Sequence, residues 1–369
     1  MSGAEPAPDG LQHDHPASED SHPDRPAARH CPLTLTIAAP VRMLNLELPS
    51  HPVYDAAELV WFDDAERGTG MLAFLTRRPD RVVDHYVQPG LRLTPEDFHL
   101  GGGSRSWNVT DIDPARLEIG PDGVVAAASF VDVDGRRIEL DIDDRDGQRR
   151  RRSSLLAPVS ADIEVPQSLL VIWMPTFDLV RVTDPPATIR IDGEPVETHR
   201  IPLERLHRQR IIKYTSDLLA VEVNREGTRE LGTGPGEAVL TPDGRAIRAV
   251  VAGRDGHRAR LLLWPPLPDL TTLRDGELVT GRWGLQVDEA RLVAGPWSAR
   301  RSADRVELDL DTDTPWQPRG LPWLLWTLTR VVPAFRRWPT TYRWRATVDL
   351  TGPLTVTGRW ERTSVARRR

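Results

Sequence analysis

Period-two alternation is the feature that most narrows what this chain can fold into. In "RIELDID", Ile138, Leu140 and Ile142 alternate with Glu139, Asp141 and Asp143; in "RVELDLD", Val306, Leu308 and Leu310 do the same. Successive side chains of a strand point to opposite faces, so these runs predict strands with one face buried. "GVVAAASFVD", "PATIRIDGEP", "LLAVEVN" and "RARLLLW" read likewise, and "PDG", "VDGRR" and "TPDGR" supply turns between strands. The pattern predicts a strand-rich, antiparallel protein.

The pentapeptide "VTGRW" occurs twice, at Val279–Trp283 and Val356–Trp360. In both, the glycine sits two residues before a tryptophan on the face predicted to be buried. "YRWRATVDL-TGP-LTVTGRWER" reads as a hairpin with Tyr342, Trp344, Ala346, Val348 and Leu350 on that face. Glycine there allows a sharp bend or a close approach of another backbone, and the tryptophan would fill the space beside it. A longer echo joins "DPARLEIGP" (113–121) to "DEARLVAGP" (288–296), each preceded by a tryptophan and followed by a hairpin and an "R-x-E-L-D-x-D" strand. Three landmarks in one order predict two related β domains in tandem, 32–228 and 229–365, with a tail at 1–31 and a basic end at 366–369.

Length and composition fit this division. The 369 residues suffice for two cores, and 28% charged residues with a net charge of −6 give no basic excess to attract nucleic acid. Lys213 is the only lysine and Cys31 the only cysteine, which excludes an internal disulfide and a cysteine metal cluster. Residues 1–31 hold His13, His15, His22 and His30 but few large apolar side chains, so a flexible polar tail is expected. Without an apolar leader or a bilayer-length apolar run, the expected setting is cytoplasmic.

One segment departs from the β pattern. In "GLPWLLWTLTRVVPAFRRW", Leu321, Leu324, Leu325, Leu328, Val331, Val332 and Phe335 fall at helical spacing, with Pro333 expected to kink or end the helix. This helix, over 321–338, either packs across the open end of a barrel or lies at a membrane surface as a peripheral contact.

Tandem β domains, Gly281-Arg282-Trp283, Gly358-Arg359-Trp360 and a late helix resemble the two-domain lipocalin-like proteins. That group includes carotenoid 1,2-hydratases of the hydroxyneurosporene synthase type and the AttH-like proteins. The resemblance lies in architecture from about residue 33 onward and carries no catalytic residue over by motif. It implies two antiparallel lipocalin-like β-barrel or sandwich domains and an apolar cavity for an isoprenoid, polyketide or lipid. It also implies hydration, cyclisation or isomerisation without a cofactor, or a non-catalytic carrier or sensor with the same cavity.

The sequence has no G-x-G-x-x-G after a strand, no P-loop, no G-x-S-x-G and no H-E-x-x-H, and "GGGS" at 101–104 reads as a loop. Acid chemistry in an apolar cavity needs an ionisable group inside a hydrophobic strand. Asp178 in "SLLVIWMPTFDLVRV" and Glu222 in "LLAVEVN" meet that description; desolvation would raise their pKa and let them protonate an alkene. Trp173 and Tyr214 would stabilise a developing cation. Trp283, Trp344 and Trp360 are further candidate ligand contacts. The competing reading is that each carboxylate faces water or pairs with an arginine such as Arg181. His85 and Tyr86 should lie on opposite faces of one strand, so at most one lines a cavity; His99 is the remaining histidine considered. Lys213 should face solvent beside a polar turn, and Arg149–Arg152 should form a solvated loop. No metal site or nucleic-acid partner is expected, and oligomeric state stays open.

Overall fold

The computed structural model describes residues 29–95, 103–158, 166–182, 187–198, 210–332, 334–335 and 340–363. Residues 1–28 of the expected tail and the basic end 366–369 lie outside them, as do His99 and the side chain of Arg181.

The described residues form three curled sheets, almost wholly antiparallel. The first sheet has nine strands: β1 (Leu35–Ile37), β2 (Val41–Glu47), β3 (Tyr54–Asp64), β4 (Gly68–Arg77), β5 (Val83–Val87), β6 (Ser104–Val109), β10 (Ser153–Ala157), β11 (Leu169–Val182) and β14 (Arg210–Val223). Their order is β10-β11-β14-β2-β3-β4-β5-β6, with β1 on the far half of β14. The β5/β6 pair alone is parallel, an exception that alternation cannot reveal because both orientations bury side chains with the same period. The second sheet is small: β7 (Ala115–Gly120), β8 (Gly123–Val131), β9 (Arg137–Asp143), β12 (Ala187–Ile191) and β13 (Glu194–Pro195), ordered β13-β12-β9-β8-β7.

The third sheet runs β15 (Gly227–Glu230), β16 (Glu237–Leu240), β17 (Ala246–Arg254), β18 (His257–Pro268), β19 (Leu278–Val287), β20 (Ala290–Ser302), β21 (Arg305–Asp311), β22 (Tyr342–Asp349) and β23 (Thr355–Arg362). From β16 to β23 it is a meander, with β15 added on the far edge beside β23. Ala238 near one edge and Trp360 near the other pack into a single core. A face whose two edges reach one core must curl, which makes this sheet a half-barrel. Helix α1 (Trp323–Val331) interrupts the chain between β21 and β22.

The half-barrel does not have a core of its own. Leu33, Leu35 and Ile37 from the start of the chain, Leu169, Val171 and Trp173 of β11, and Leu219, Val221 and Val223 of β14 fill its concave side. The expected boundary at 228/229 falls inside β15, and the two halves share this core, while a second core, from Leu44 to Tyr214, lies wholly in the first half. Residues 29–31, assigned to the tail by their polar neighbours, belong to this structure too: the Gly232 amide donates to the Cys31 carbonyl at 3.0 Å, and His30 meets Asp269 at 3.1 Å. Cys31 is buried, its thiol donating to the Leu33 carbonyl, and burial pushes its pKa up to about 11.

Asn224 holds the junction. It adopts a left-handed conformation (φ 50°), which Asn tolerates better than most residues. Its side-chain oxygen accepts from the Thr34 amide at 2.8 Å, and its carbonyl accepts from the Trp360 indole at 2.8 Å. The same indole donates to the Val223 carbonyl at 3.0 Å, so β14, the first residues and the last strand meet at one point.

The two "VTGRW" glycines work differently from the expectation of a bend. At Gly281 an added Cβ would lie 2.7 Å from the indole of Trp297 on β20; at Gly358 it would lie 2.7 Å from the indole of Trp344 on β22. Each glycine makes room for a tryptophan of the neighbouring strand, while Trp283 and Trp360 of the motif pack elsewhere in the same core. The longer echo also occupies unequal places. The β7 and β9 copies of the landmarks are separated by β8, whereas β20 and β21 pair directly.

Helix α1 packs on a face of the first sheet, not across a barrel end. Leu325 is buried against Phe177, Phe74 and their neighbours, with Leu321, Leu328 and Phe335 around it. Helical spacing identified this stripe correctly except at Val331, which is 67% exposed. The helix stops where expected: Val332 is already extended.

Overpacking at the glycines gives a direct test. Gly281→Ala and Gly358→Ala should each lower unfolding free energy by about 1–3 kcal/mol in denaturant melts, while Thr357→Ala, on the exposed face, should stay within about 0.5 kcal/mol. Asn224→Ala should cost about 2–4 kcal/mol, from the left-handed conformation and the unpaired Thr34 amide together.

Candidate functional site

β11 and β14 are long partners that separate in the middle. Leu169 to Trp173 pair with Val223 to Leu219, and Asp178 to Val182 pair with Tyr214 to Arg210, but the stretch between leaves the ladder. Pro175 lacks an amide to donate there. Thr176 instead bonds Thr215, Ser216 and Asp217 through its hydroxyl at 2.8–3.1 Å. The far side of this opening is where the candidate site begins.

Asp178 and Tyr214 face each other in register, and the Tyr214 hydroxyl donates to Asp178 Oδ2 at 3.0 Å. Burial raises the pKa of Asp178; the Tyr214 hydrogen bond and the nearby Arg150 and Arg152 oppose that rise without cancelling it. Tyr214 is held firmly protonated, by its own burial first and by the Asp178 charge second. A second carboxyl, Asp144, is fully buried beside them. It accepts from the Val124 amide, lies 3.5 Å from Arg150, and has a raised pKa because of burial. Arg150 and Arg152 are not a solvated loop: they donate to the carbonyls of Asp122, Asp144 and Gly120, while Arg149 and Arg151 are exposed. The backbone contacts hold two guanidiniums close to the two carboxyls.

Asp178 also borders a cleft of about 200 Å³ where β10 and β11 meet the start of α1. Phe177, Leu179, Trp323, Leu324 and Leu325 form its apolar wall; Arg151 and Ser153 stand at the polar end. Side chains alternate along β11, so Phe177 and Leu179 face α1 and the cleft, while the Asp178 carboxyl points to the other face of the sheet, where Tyr214 joins the core under the five-stranded sheet.

The other candidates lie elsewhere. Glu222 is half-buried on β14 beside Thr36 and Leu170, eight residues or about 26 Å along the strand from Tyr214. Trp173, Trp283, Trp344 and Trp360 are all buried in the half-barrel core. Trp173 meets Trp316 edge-on at 5.9 Å, and the Trp283 indole donates to the Asp311 carbonyl at 2.8 Å. Among the described residues, these four tryptophans are surrounded by protein and do not join the Asp178 site. His85 and Tyr86 do lie on opposite faces, His85 against Phe74 and Trp107, Tyr86 against Phe130. Lys213 sits inside β14 and pairs with Glu47, not beside a turn in solvent.

Two carboxyls escaped the sequence reading. Asp144 follows the "RIELDID" strand and looks like one more turn aspartate. Glu58 lies within "AAELVWF", an apolar run that meets the criterion applied to Asp178 and Glu222. It accepts from Asn45 at 3.2 Å, beside Lys213, and burial raises its pKa. Among the described residues no group of three or more His, Cys, Asp or Glu is placed to hold a metal ion.

No family model matches the chain, and no curated protein or solved structure matches it.

The pKa of Asp178 gives a signed prediction. An acid whose folded pKa is raised binds more protons in the native state, so its contribution to stability falls as pH climbs from the unfolded carboxyl range through the folded value. Asp178→Asn keeps an acceptor for Tyr214 and removes that loss. Its Tm relative to the parent should therefore be higher at pH 8 than at pH 4. A pH-independent difference would refute the raised pKa.

Proposed function

We propose that the protein binds a hydrophobic small molecule, an isoprenoid, polyketide or lipid, with one end in the cleft beside Asp178. The observation that supports this is a cleft walled by Phe177, Leu179, Leu324 and Leu325, with Arg151 and Ser153 at its polar end. At about 200 Å³ the cleft is smaller than the roughly 300–1,000 Å³ of pockets that swallow a whole ligand. It takes one end of the molecule, and the remainder lies along the surface.

Solvent extraction of the purified full-length chain, followed by mass spectrometry, tests the reading. One stoichiometric apolar compound is expected, lost on Ser153→Phe, which fills the cleft. Asp178→Asn, whose side chain lies on the other face of β11, should retain the compound unchanged in amount. Retention with no turnover in the parent would make the protein a carrier. An empty extract after expression in the native host, or a compound indifferent to Ser153→Phe, would overturn the site.

A further inference from the structure

The outer face of α1 has a composition that the inner face does not explain. Leu325 is 7% exposed and Thr329 is buried, so they mark the side toward the first sheet. At about 100° per residue, Trp323, Trp326 and Arg330 fall together in an arc of about 60°, centred roughly 110° from that side. Trp323 is 69% exposed and Trp326 44%, both among the most exposed large apolar side chains described. The Arg330 guanidinium lies over the Trp326 ring, 4.2 Å from its centroid.

The sequence on either side of α1 is one-sided in charge. Between Asp313 and Asp349 the chain has six arginines and no Asp or Glu, in a protein of net charge −6. Of these, Arg343 pairs with Asp311, and Arg345 lies near Asp309 and Glu361, all in the half-barrel. Arg319 and Arg330 flank the helix on the exposed surface. Tryptophan rings set beside arginines, on a helix whose other side is anchored, match the interface of an anionic lipid bilayer. The rings settle at headgroup depth while the guanidiniums meet phosphates.

We propose that the Trp323–Trp326–Arg330 face of α1 docks the protein on an anionic membrane surface. No helix among the described residues is long and apolar enough to cross a membrane, so the contact is peripheral. The cleft at Asp178 opens beside Trp323, which places it next to the docked surface and within reach of apolar molecules dissolved in the bilayer.

Vesicle co-sedimentation with the full chain tests this independently of any ligand or turnover. Vesicles of phosphatidylcholine with about 30 mol% phosphatidylglycerol, whose negative charge attracts the guanidiniums, should pellet the protein at low ionic strength. Pure phosphatidylcholine should bind at least tenfold less. Trp323→Ser with Trp326→Ser should cut binding to the anionic vesicles at least tenfold, and Arg330→Glu should cut it severalfold more than Arg300→Glu on the half-barrel. Leu325 is left alone because it packs inward. An unchanged far-ultraviolet spectrum and Tm show that the variants fold. No binding to anionic vesicles, equal binding to neutral ones, or binding indifferent to the double substitution would overturn the proposal. So would concentration-dependent self-association that the double substitution abolishes while lipid binding stays at background.

Discussion

The Trp360 indole donates to two backbone carbonyls at the end of β14, and Asn224 turns the chain there in a conformation few residues accept. Around that point the first residues, the first sheet and the last strand of the half-barrel converge. A half-barrel has an open side, and an open apolar side must be covered. The far halves of β11 and β14, with β1, do the covering, so the concave face of one sheet is packed by the end of another. The half-barrel has no complete core without the first sheet, and unfolding is expected to be cooperative across the junction.

The same two strands explain where the acidic site sits. One half of the β11–β14 pair is committed to the half-barrel and the other to the five-stranded sheet and α1. Between them the ladder opens at Pro175, and hydroxyls replace the missing backbone bonds. Asp178 and Tyr214 occupy the first paired position beyond the opening, with the buried Asp144 carboxyl close by. Burying two carboxyls near each other is costly, and the Arg150 and Arg152 guanidiniums offset part of that cost. Groups held in such an environment are frequent at working sites, because an apolar carboxyl contributes less to stability than to proton transfer.

Much of the fold was legible in the chain. Alternation placed β9, β21, β22 and β23 with the right faces inward, since period two survives any sheet arrangement. Helical spacing found α1, and Asp178 stood out as a charge within an apolar strand. What alternation lacks is long-range information. It could not tell that β8 separates β7 from β9 while β20 and β21 adjoin, so similar words in the sequence suggested equivalent places. It could not tell that Leu325 faces the first sheet, or that Tyr214 and Glu222, eight residues apart on one strand, serve different surroundings. The repeated "VTGRW" was informative for a reason outside the pentapeptide itself: the tryptophan that needs each glycine is on the next strand, and strand order is what the sequence leaves unsaid.

Cys31 gives the shared core a chemical clock. Its thiol is buried at the seam between the first residues and the half-barrel, and with a pKa near 11 almost none of it is thiolate at neutral pH. Thiolate is the reactive form, so alkylation must wait until the seam parts. As the sole cysteine, it confines every labelling event to that one location. The rate at which a disulfide reagent modifies the native chain is therefore a measure of how often the plug leaves the half-barrel, read from a single atom.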